Sequence, residues 1–410
     1  MMENIYMREN YLKKIRGFYH DDLIKVITGI RRCGKSSFLK SIIKELLENG
    51  INEKDIIYIE LDTKDYKNIK TSKQLEKLID SKIIDNDFKY LFIDEVQNVK
   101  NFETIINSYR ESGNISIFIA GSNSYLLSGE LVTKLTGRYI EIEMMTLSFY
   151  EYVDMKKFLN KSLNDNIYLE FEEYIRNGGF PKSLYYDHYD DKLLYTSSVV
   201  NQIFDKDIKT NNRIKDKFLF ETIEKFIINN FGAVISIKSI QNYLKKNVNV
   251  NTDRRTIKKY LDILEKAKII YSCDLFDVKS KSVLKGEKKY YLADLSIYYS
   301  LNTDNRINYE TVLENVVFTY LKSKNYLLSV GHIGNLECDF IARKNFDDYF
   351  YIQVSKDISN KDTEEREYRP FYAIRDSYPK YLLTLDMLLQ KRDGINHLNI
   401  VDFIYNNKTL

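Results

Sequence analysis

The run Gly29-Ile30-Arg31-Arg32-Cys33-Gly34-Lys35-Ser36 constrains this chain more than any other stretch. It has the spacing G-x-x-x-x-G-K-[ST] and stands between an apolar segment, Leu23–Thr28, and a helix-periodic one that begins at Lys35. A strand that feeds a helix through a glycine-rich loop calls for a parallel sheet with helices on its faces. The glycines permit the tight loop, so the backbone N–H groups of Cys33 through Ser36 can surround a phosphate at the positive end of the helix. The candidate phosphate-binding segment is therefore Gly29, Ile30, Arg31, Arg32, Cys33, Gly34, Lys35, Ser36 and Ser37. Within it, Lys35 suits the terminal phosphates of a nucleotide and the Ser36 hydroxyl suits Mg²⁺.

The surrounding pattern agrees. Short apolar runs at Leu23–Thr28, Asp55–Leu61, Tyr90–Ile93, Ile115–Ala120 and Tyr139–Met144 alternate with helical ones at Lys35–Glu48, Ser72–Ile84, Phe102–Glu111 and Ser124–Leu135. Parallel sheets place ligands at the carboxyl ends of their strands, and the third run ends in Asp94-Glu95. Asp94 is the candidate Mg²⁺ ligand with Ser36, and Glu95 the candidate general base for an attacking water. The fourth run ends in Gly121-Ser122-Asn123, where Asn123, with Ser122 second, offers a polar group near a terminal phosphate; the same residues also suit a helix N-cap. Arg138 precedes the last run and is either an arginine finger reaching a neighbouring subunit's nucleotide or a solvated arginine.

At 410 residues the chain holds two or three domains of the usual ~150 residues. Hydrophobic residues at 44% support packed cores, and 62 Lys and Arg against 59 Asp and Glu leave a net charge of only +3. No global field commits the chain to nucleic acid or an anionic membrane, so any binding charge is local. Cys33, Cys273 and Cys338 are scattered, which argues against disulfides and structural zinc. No apolar run approaches the ~18 residues of a membrane span, and the N-terminus has no apolar signal segment, so a cytoplasmic protein is expected.

The remainder divides by pattern. Residues 146–230 read as helices broken at Asn177-Gly178-Gly179-Phe180-Pro181, a helical lid or connector. Residues 231–300 read as helix, polar turn, helix and hairpin, the order of a winged helix-turn-helix. On Asp253–Ala267, Ile257, Tyr260, Leu261 and Leu264 share one face while Arg255, Lys259 and Lys266 lie opposite, with Asp262 among them. With Lys279, Lys281, Lys285, Lys288 and Lys289 on the wing, these groups could neutralise DNA phosphates, or the module could dock a protein. Residues 301–410 read as another α/β unit, with a helix at Glu310–Lys324 and strands at Leu336–Arg343, Tyr349–Ser355, Lys380–Leu385 and Leu398–Ile404.

The glycine-rich loop, Asp94-Glu95-Val96-Gln97, Ala120-Gly121-Ser122-Asn123, Thr136-Gly137-Arg138, Leu147-Ser148-Phe149-Tyr150-Glu151 and Gly178-Gly179-Phe180-Pro181 resemble those of prokaryotic AAA-type (AAA+) P-loop ATPases with a C-terminal domain of unknown function. The likeness continues through Leu336-Glu337-Cys338-Asp339-Phe340, Tyr351-Ile352-Gln353-Val354-Ser355 and Gly394-Ile395-Asn396-His397. It implies an α/β fold of four parts: an AAA+ core over 1–145, a lid over 146–230, a winged helix over 231–300 and a restriction-endonuclease-like domain over 301–410. It also implies ATP, since a P-loop does not itself reveal the base, and rings or other homo-oligomers in which Arg138 could act in trans.

A nuclease of that type needs an acid on the preceding helix, here Glu314, an acid at Asp339, and an E-x-K on the next strand. This chain has Gln353-Val354-Ser355 there, so a degenerate site of Glu314, Asp339 and Gln353 without hydrolysis is expected. The reading is a Mg²⁺-dependent ATPase that couples turnover to movement of its C-terminal half on DNA. The alternatives are a nucleotide-gated switch that docks a protein partner and an ATP-regulated nuclease.

Overall fold

Five short apolar strands carry the N-terminal part because nearly every residue in three of them is buried on both faces, as a helix-covered parallel sheet requires. The computed structural model describes residues 4–121, 135–209, 214–301, 307–344 and 348–410. Ser122 and Asn123 lie outside the described residues, as does almost all of the expected helix Ser124–Leu135. The chain forms two compact units, Met1–Met145 with Asp205–Asn211, and Thr146–Phe204 with Asn212–Leu410.

In the first unit, β1 (Ile24–Gly29), β2 (Ile56–Glu60), β3 (Lys89–Asp94), β4 (Ile115–Ala120) and β5 (Tyr139–Met144) form one parallel sheet in the order β2-β3-β4-β1-β5. Strand β4 thus lies between the strand that feeds the glycine-rich loop and the strand that ends in the acidic pair. One side of the sheet packs Val26, Ile59, Leu91 and Ile119 against Leu75 and Ile79 of the helix Ser72–Lys82 and Phe102 and Ile106 of the helix Phe102–Glu111. On Phe92 and Phe118 the rings stack at 4.5 Å. Thr71 begins the Ser72–Lys82 helix through a reciprocal cap with Gln74, which satisfies amides that the helix itself leaves unpaired. A short helix at Glu9–Ile15, which the sequence pattern did not single out, buries Tyr11, Leu12 and Ile15 in this unit.

The second unit begins with helices Phe149–Phe158, Ile167–Asn177, Tyr189–Gln202 and Lys217–Asn229. After them come β6 (Val234–Ser236), helices Ile237–Asn247 and Arg254–Lys266, and the hairpin β7 (Ile270–Asp277) and β8 (Ser282–Leu292). A helix at Tyr309–Ser323 leads to β9 (Leu327–Ile333), β10 (Leu336–Arg343) and β11 (Tyr349–Val354). The helix Lys361–Ala373, β12 (Lys380–Thr384), β13 (Lys391–Arg392) and β14 (Ile395–Asn399) follow. Among the described residues these strands form one mixed sheet in the order β13-β14-β12-β11-β10-β9-β7-β8-β6. Parallel pairing of β7 with β9, with Leu275 opposite Val330, carries the sheet across residue 300.

Two local expectations are corrected. Residues Leu398–Ile404 were expected as a strand, but β14 ends at Asn399, whose side chain accepts the Asp402 N–H and starts a helix over Ile400–Tyr405. Ile400, Val401, Phe403 and Ile404 are all buried, which a helix at this edge achieves and a continued alternating strand would not. Strict alternation along the expected strand Leu336–Arg343 would put Cys338 and Phe340 on one face of β10. A register shift between Cys338 and Ile341 separates them: Cys338 joins the core beneath Tyr368 and Phe371, whereas Phe340 packs on Tyr291 and Phe318.

Candidate functional site

The loop after β1 is built by backbone geometry that only its glycines accept. Gly29 has φ 142°, and a Cβ there would stand 2.3 Å from the Met144 carbonyl oxygen and 2.7 Å from Cys33 Sγ. Gly34 has φ 108° and immediately precedes the helix Lys35–Glu48. The first bond of that helix runs from Phe38 N–H to the Gly34 carbonyl, so the amides of Lys35, Ser36 and Ser37 precede the ladder at the helix's positive end. Cys33 is buried beneath the loop and its N–H donates to the Ile30 carbonyl at 3.2 Å. Arg31 is half-buried and Arg32 is exposed with φ 69°. Lys35 is buried, and its ammonium donates to the Gly29 and Ile30 carbonyls at 2.9 and 3.2 Å.

Strand β3 delivers the acids to the same edge. Asp94 is buried and lies near the Ser36 hydroxyl. Burial raises its carboxyl to about 6; Ser36 and Lys35 oppose that, while Glu95 and Glu60 add to it. Its Oδ1 accepts the Glu95 N–H at 3.0 Å, and its Oδ2 is buried without a hydrogen-bond partner among the described residues. Glu60, at the end of β2, is the register partner of Asp94 and receives Lys40 at 3.4 Å. Glu95 has left-handed backbone, φ 55°, and its carboxylate accepts a bond from the Gln97 amide.

Arg8 escaped notice in the sequence, where it is one basic residue in a polar N-terminal stretch. It is buried, and its guanidinium donates to the carbonyls of Cys33 at 3.2 Å and Met145 at 2.8 Å while lying over the Tyr11 ring. It ties the loop to the end of β5. Arg138 goes elsewhere. Its carbonyl accepts Ile24 N–H at the amino end of the sheet, roughly 17 Å from the loop along β1 at the usual rise per residue. Its side chain pairs with Asn107 at 3.0 Å and Glu111 at 3.3 Å, so it takes no part in its own chain's site.

In the second unit, Arg255, Lys259 and Lys266 are exposed on the helix Arg254–Lys266, and Ile257, Tyr260, Leu261 and Leu264 are buried beneath them, as the periodicity implied. Lys279, Lys281 and Lys285 are exposed on the hairpin. Lys289 is not on its surface. It is buried and pairs with Glu314 at 3.1 Å and Glu337 at 2.6 Å, with Asp339 at 3.9 Å. Burial depresses the Lys289 ammonium, but Glu314, Asp339 and Glu337 together overcome this and hold its pKa above the ordinary value. Burial raises both Glu314 and Asp339, and Lys289 opposes the rise at each. Asp339 Oδ2 accepts Val354 N–H at 2.8 Å. Gln353 accepts the Asp339 N–H at 3.3 Å and turns its amide nitrogen to Glu367 at 2.9 Å. The structure therefore brings Glu314 and Asp339 together, places Gln353 beside them, and adds a lysine from a strand more than 40 residues earlier in the chain than Asp339.

The Gly178-Gly179 turn is a packing junction. Gly179 N–H donates to Asp294 at 2.8 Å and its carbonyl accepts Leu147 N–H at 2.8 Å. Among the described residues, one trio of carboxylates, Asp55, Asp85 and Asp87, is close enough to share a metal. Lys89 and Lys54 already neutralise it, at 2.5 to 3.1 Å. Among the same residues, no helix is long and apolar enough to cross a membrane.

Comparison with known proteins agrees with the fold of the first unit. Residues 21–153 match the model of an AAA domain, and residues 168–310 match a domain of unknown function, DUF8612. An uncharacterized protein of Haemophilus influenzae is 36% identical over 407 residues, covering 98% of this chain and 100% of that one. The uncharacterized protein MJ1544 of Methanocaldococcus jannaschii is 31% identical, covering 86% and 79%. The fold is similar to that of the Walker-type ATPase PABY2304 of Pyrococcus abyssi, with a TM-score of 0.50 at 16% identity over 72% of this chain and 95% of that one. The chain thus belongs to the same family as the Haemophilus and Methanocaldococcus proteins, and within it carries a P-loop AAA-type ATPase domain followed by a C-terminal region of unknown function.

Proposed function

We propose that this protein is a Mg²⁺-dependent ATPase whose C-terminal half acts on DNA. The observation that carries the ATPase reading is the buried Asp94 Oδ2, which has no hydrogen-bond partner among the described residues, near Ser36 at the head of the loop. A buried carboxylate oxygen without a donor is costly, and a divalent cation held by Ser36 and Asp94 satisfies it. Mg²⁺, when bound, supplies charge neutralisation for the β- and γ-phosphates. The loop amides of Lys35 to Ser37 bind phosphate oxygens, and the Lys35 ammonium leaves the Gly29 and Ile30 carbonyls for the terminal phosphates. Glu95 orients the attacking water and accepts its proton. Asn123 is assigned to the γ-phosphate side of that water, and Arg138 to the nucleotide of a neighbouring copy in a homo-oligomer.

Residues 231–300 act as a winged helix, with Arg255, Lys259, Lys266 and the exposed wing lysines neutralising DNA phosphates. Residues 301–410 act as a nuclease-like module that binds rather than cuts, because Lys289 and the Val354 N–H already engage the Glu314–Asp339 pair. The test is steady-state phosphate release from ATP with Mg²⁺, at low and moderate salt, with and without duplex and single-stranded DNA. Lys35→Ala is expected to lose nucleotide binding, and Glu95→Gln to bind ATP with no steady-state turnover beyond a slow residual rate that a single-turnover experiment can read. Salt-sensitive stimulation by DNA, diminished when Arg255 and Lys259 become alanine, supports the DNA reading. An Mg²⁺-dependent rate that DNA leaves unchanged would refute it and direct the search to protein partners.

A further inference from the structure

Glu95 is an awkward residue from which to build a base. It is half-exposed, it has three side-chain torsions, and its backbone sits in the left-handed region at φ 55°, ψ 41°, which a non-glycine residue occupies only when its surroundings hold it there. Those surroundings are visible. Its N–H donates to Asp94 Oδ1 at 3.0 Å, and its carbonyl accepts Asn98 N–H at 3.0 Å, closing a tight helical turn over Val96–Asn98. The turn folds the Gln97 side chain back, so that its amide nitrogen donates to Glu95 Oε2. A carboxylate only accepts, so the bond fixes which end of the amide faces it. Gln97 Oε1 is left buried without a hydrogen-bond partner among the described residues.

From this geometry we infer that Gln97 is the positioning residue of the ATPase site: by holding one oxygen of Glu95, it fixes the rotamer that presents the other to water. The inference rests on the assignment of Glu95 as general base. Val96 is buried in the core, so the turn is anchored and Gln97 approaches Glu95 from a rigid platform. Without the amide, the carboxylate would sample several rotamers and spend only a fraction of its time aimed at the water. Binding of ATP would be untouched, because Gln97 acts through Glu95 and not on the phosphates.

The experiment is single-turnover ATP hydrolysis with Mg²⁺, alongside titration of a fluorescent ATP analogue. It compares wild type, Gln97→Met, Gln97→Glu, Glu95→Gln and the double variant Glu95→Gln/Gln97→Met. Methionine keeps the size but not the donor, and glutamate keeps the shape but not the donor, so either variant reads the proposal if the other fails to fold. Each is expected to lower the rate constant about tenfold or more while nucleotide affinity stays within about twofold. In the Glu95→Gln background the change to methionine is expected to cost nothing further, since the group it positions is already gone. An equal fractional loss in both backgrounds, or no loss in either, overturns the role of Gln97 and leaves the base assignment standing. Wild-type turnover by Glu95→Gln would instead overturn the base assignment and this inference with it.

Discussion

Lys25 lies within β1, completely buried, with its ammonium donating to the Asp21 carbonyl at 2.6 Å and the Ser116 hydroxyl at 2.8 Å and resting over the Phe118 ring. Burial lowers its pKa from 10.5 to about 8, against the pull of Asp21 and Asp22. That gap corresponds to a penalty on the order of 3 kcal/mol for keeping the charge in the fold. Below pH 8 both folded and unfolded states are charged and the penalty is fully felt. Between about 8 and 10.5 the folded state gives up its proton first, and the penalty fades as pH rises. Lys25→Met is therefore expected to stabilise the protein by about 2 kcal/mol in urea unfolding at pH 7, with the gain shrinking towards zero near pH 10.5. At the same scale, the places of Gly29, Gly34, Lys35, Ser36 and Asp94 at one edge of the sheet were legible because their motif has a fixed spacing between a strand and a helix. Arg8 was not. Two of the groups it bonds are backbone carbonyls, which carry no sequence signal.

The Gly178-Gly179 turn belongs to the scale of elements. It joins the end of the helix Ile167–Asn177 to the Leu147–Ser148 segment and to the Asp294–Ser296 turn after β8. Gly178 has φ 71°, and a Cβ there would meet Asp294 Oδ1 at 1.9 Å and Ser296 Oγ at 2.6 Å. Gly178→Ala would combine backbone strain with displacement of a buried carboxylate that three donors hold in place. A loss of about 3 kcal/mol or more in denaturant unfolding is expected, with the loop of the first unit still able to bind nucleotide. The sequence marked this turn as a break between helices, which it is. What it could not say is that the break is held from residues 115 positions away. The β14 segment teaches the complementary lesson: a short apolar run is compatible with strand or helix, and there the Asn399 cap and the available burial decided it.

On the scale of the whole molecule, the C-terminal sheet is continuous across strands that the sequence pattern assigned to separate parts. Lys289 is the chemical expression of that continuity, since its strand, β8, belongs to the hairpin and its partners to the helix Tyr309–Ser323 and to β10. Lys289→Met would leave Glu314, Glu337 and Asp339 without their cation. The expected cost at pH 7 is about 3–5 kcal/mol, the range for breaking a buried pair on one side. Glu314 and Asp339 have raised pKa values in the fold, so the folded state takes up protons before the unfolded one as pH falls, and the variant should recover part of its loss at pH 5. Unfolding curves at the two pH values check both statements. The sequence by itself determined the parallel sheet, the glycine-rich loop, the acids at the end of β3 and the basic face of Arg254–Lys266, because these depend on periodicity and on contacts within a few residues along the chain. Tertiary structure alone decided that Arg8 braces the loop, that Phe340 changes faces at a bulge and that Lys289 is a buried counter-ion instead of a surface charge. Each of these turns on which distant groups share a desolvated space, and burial is a property of the folded chain that no local pattern encodes.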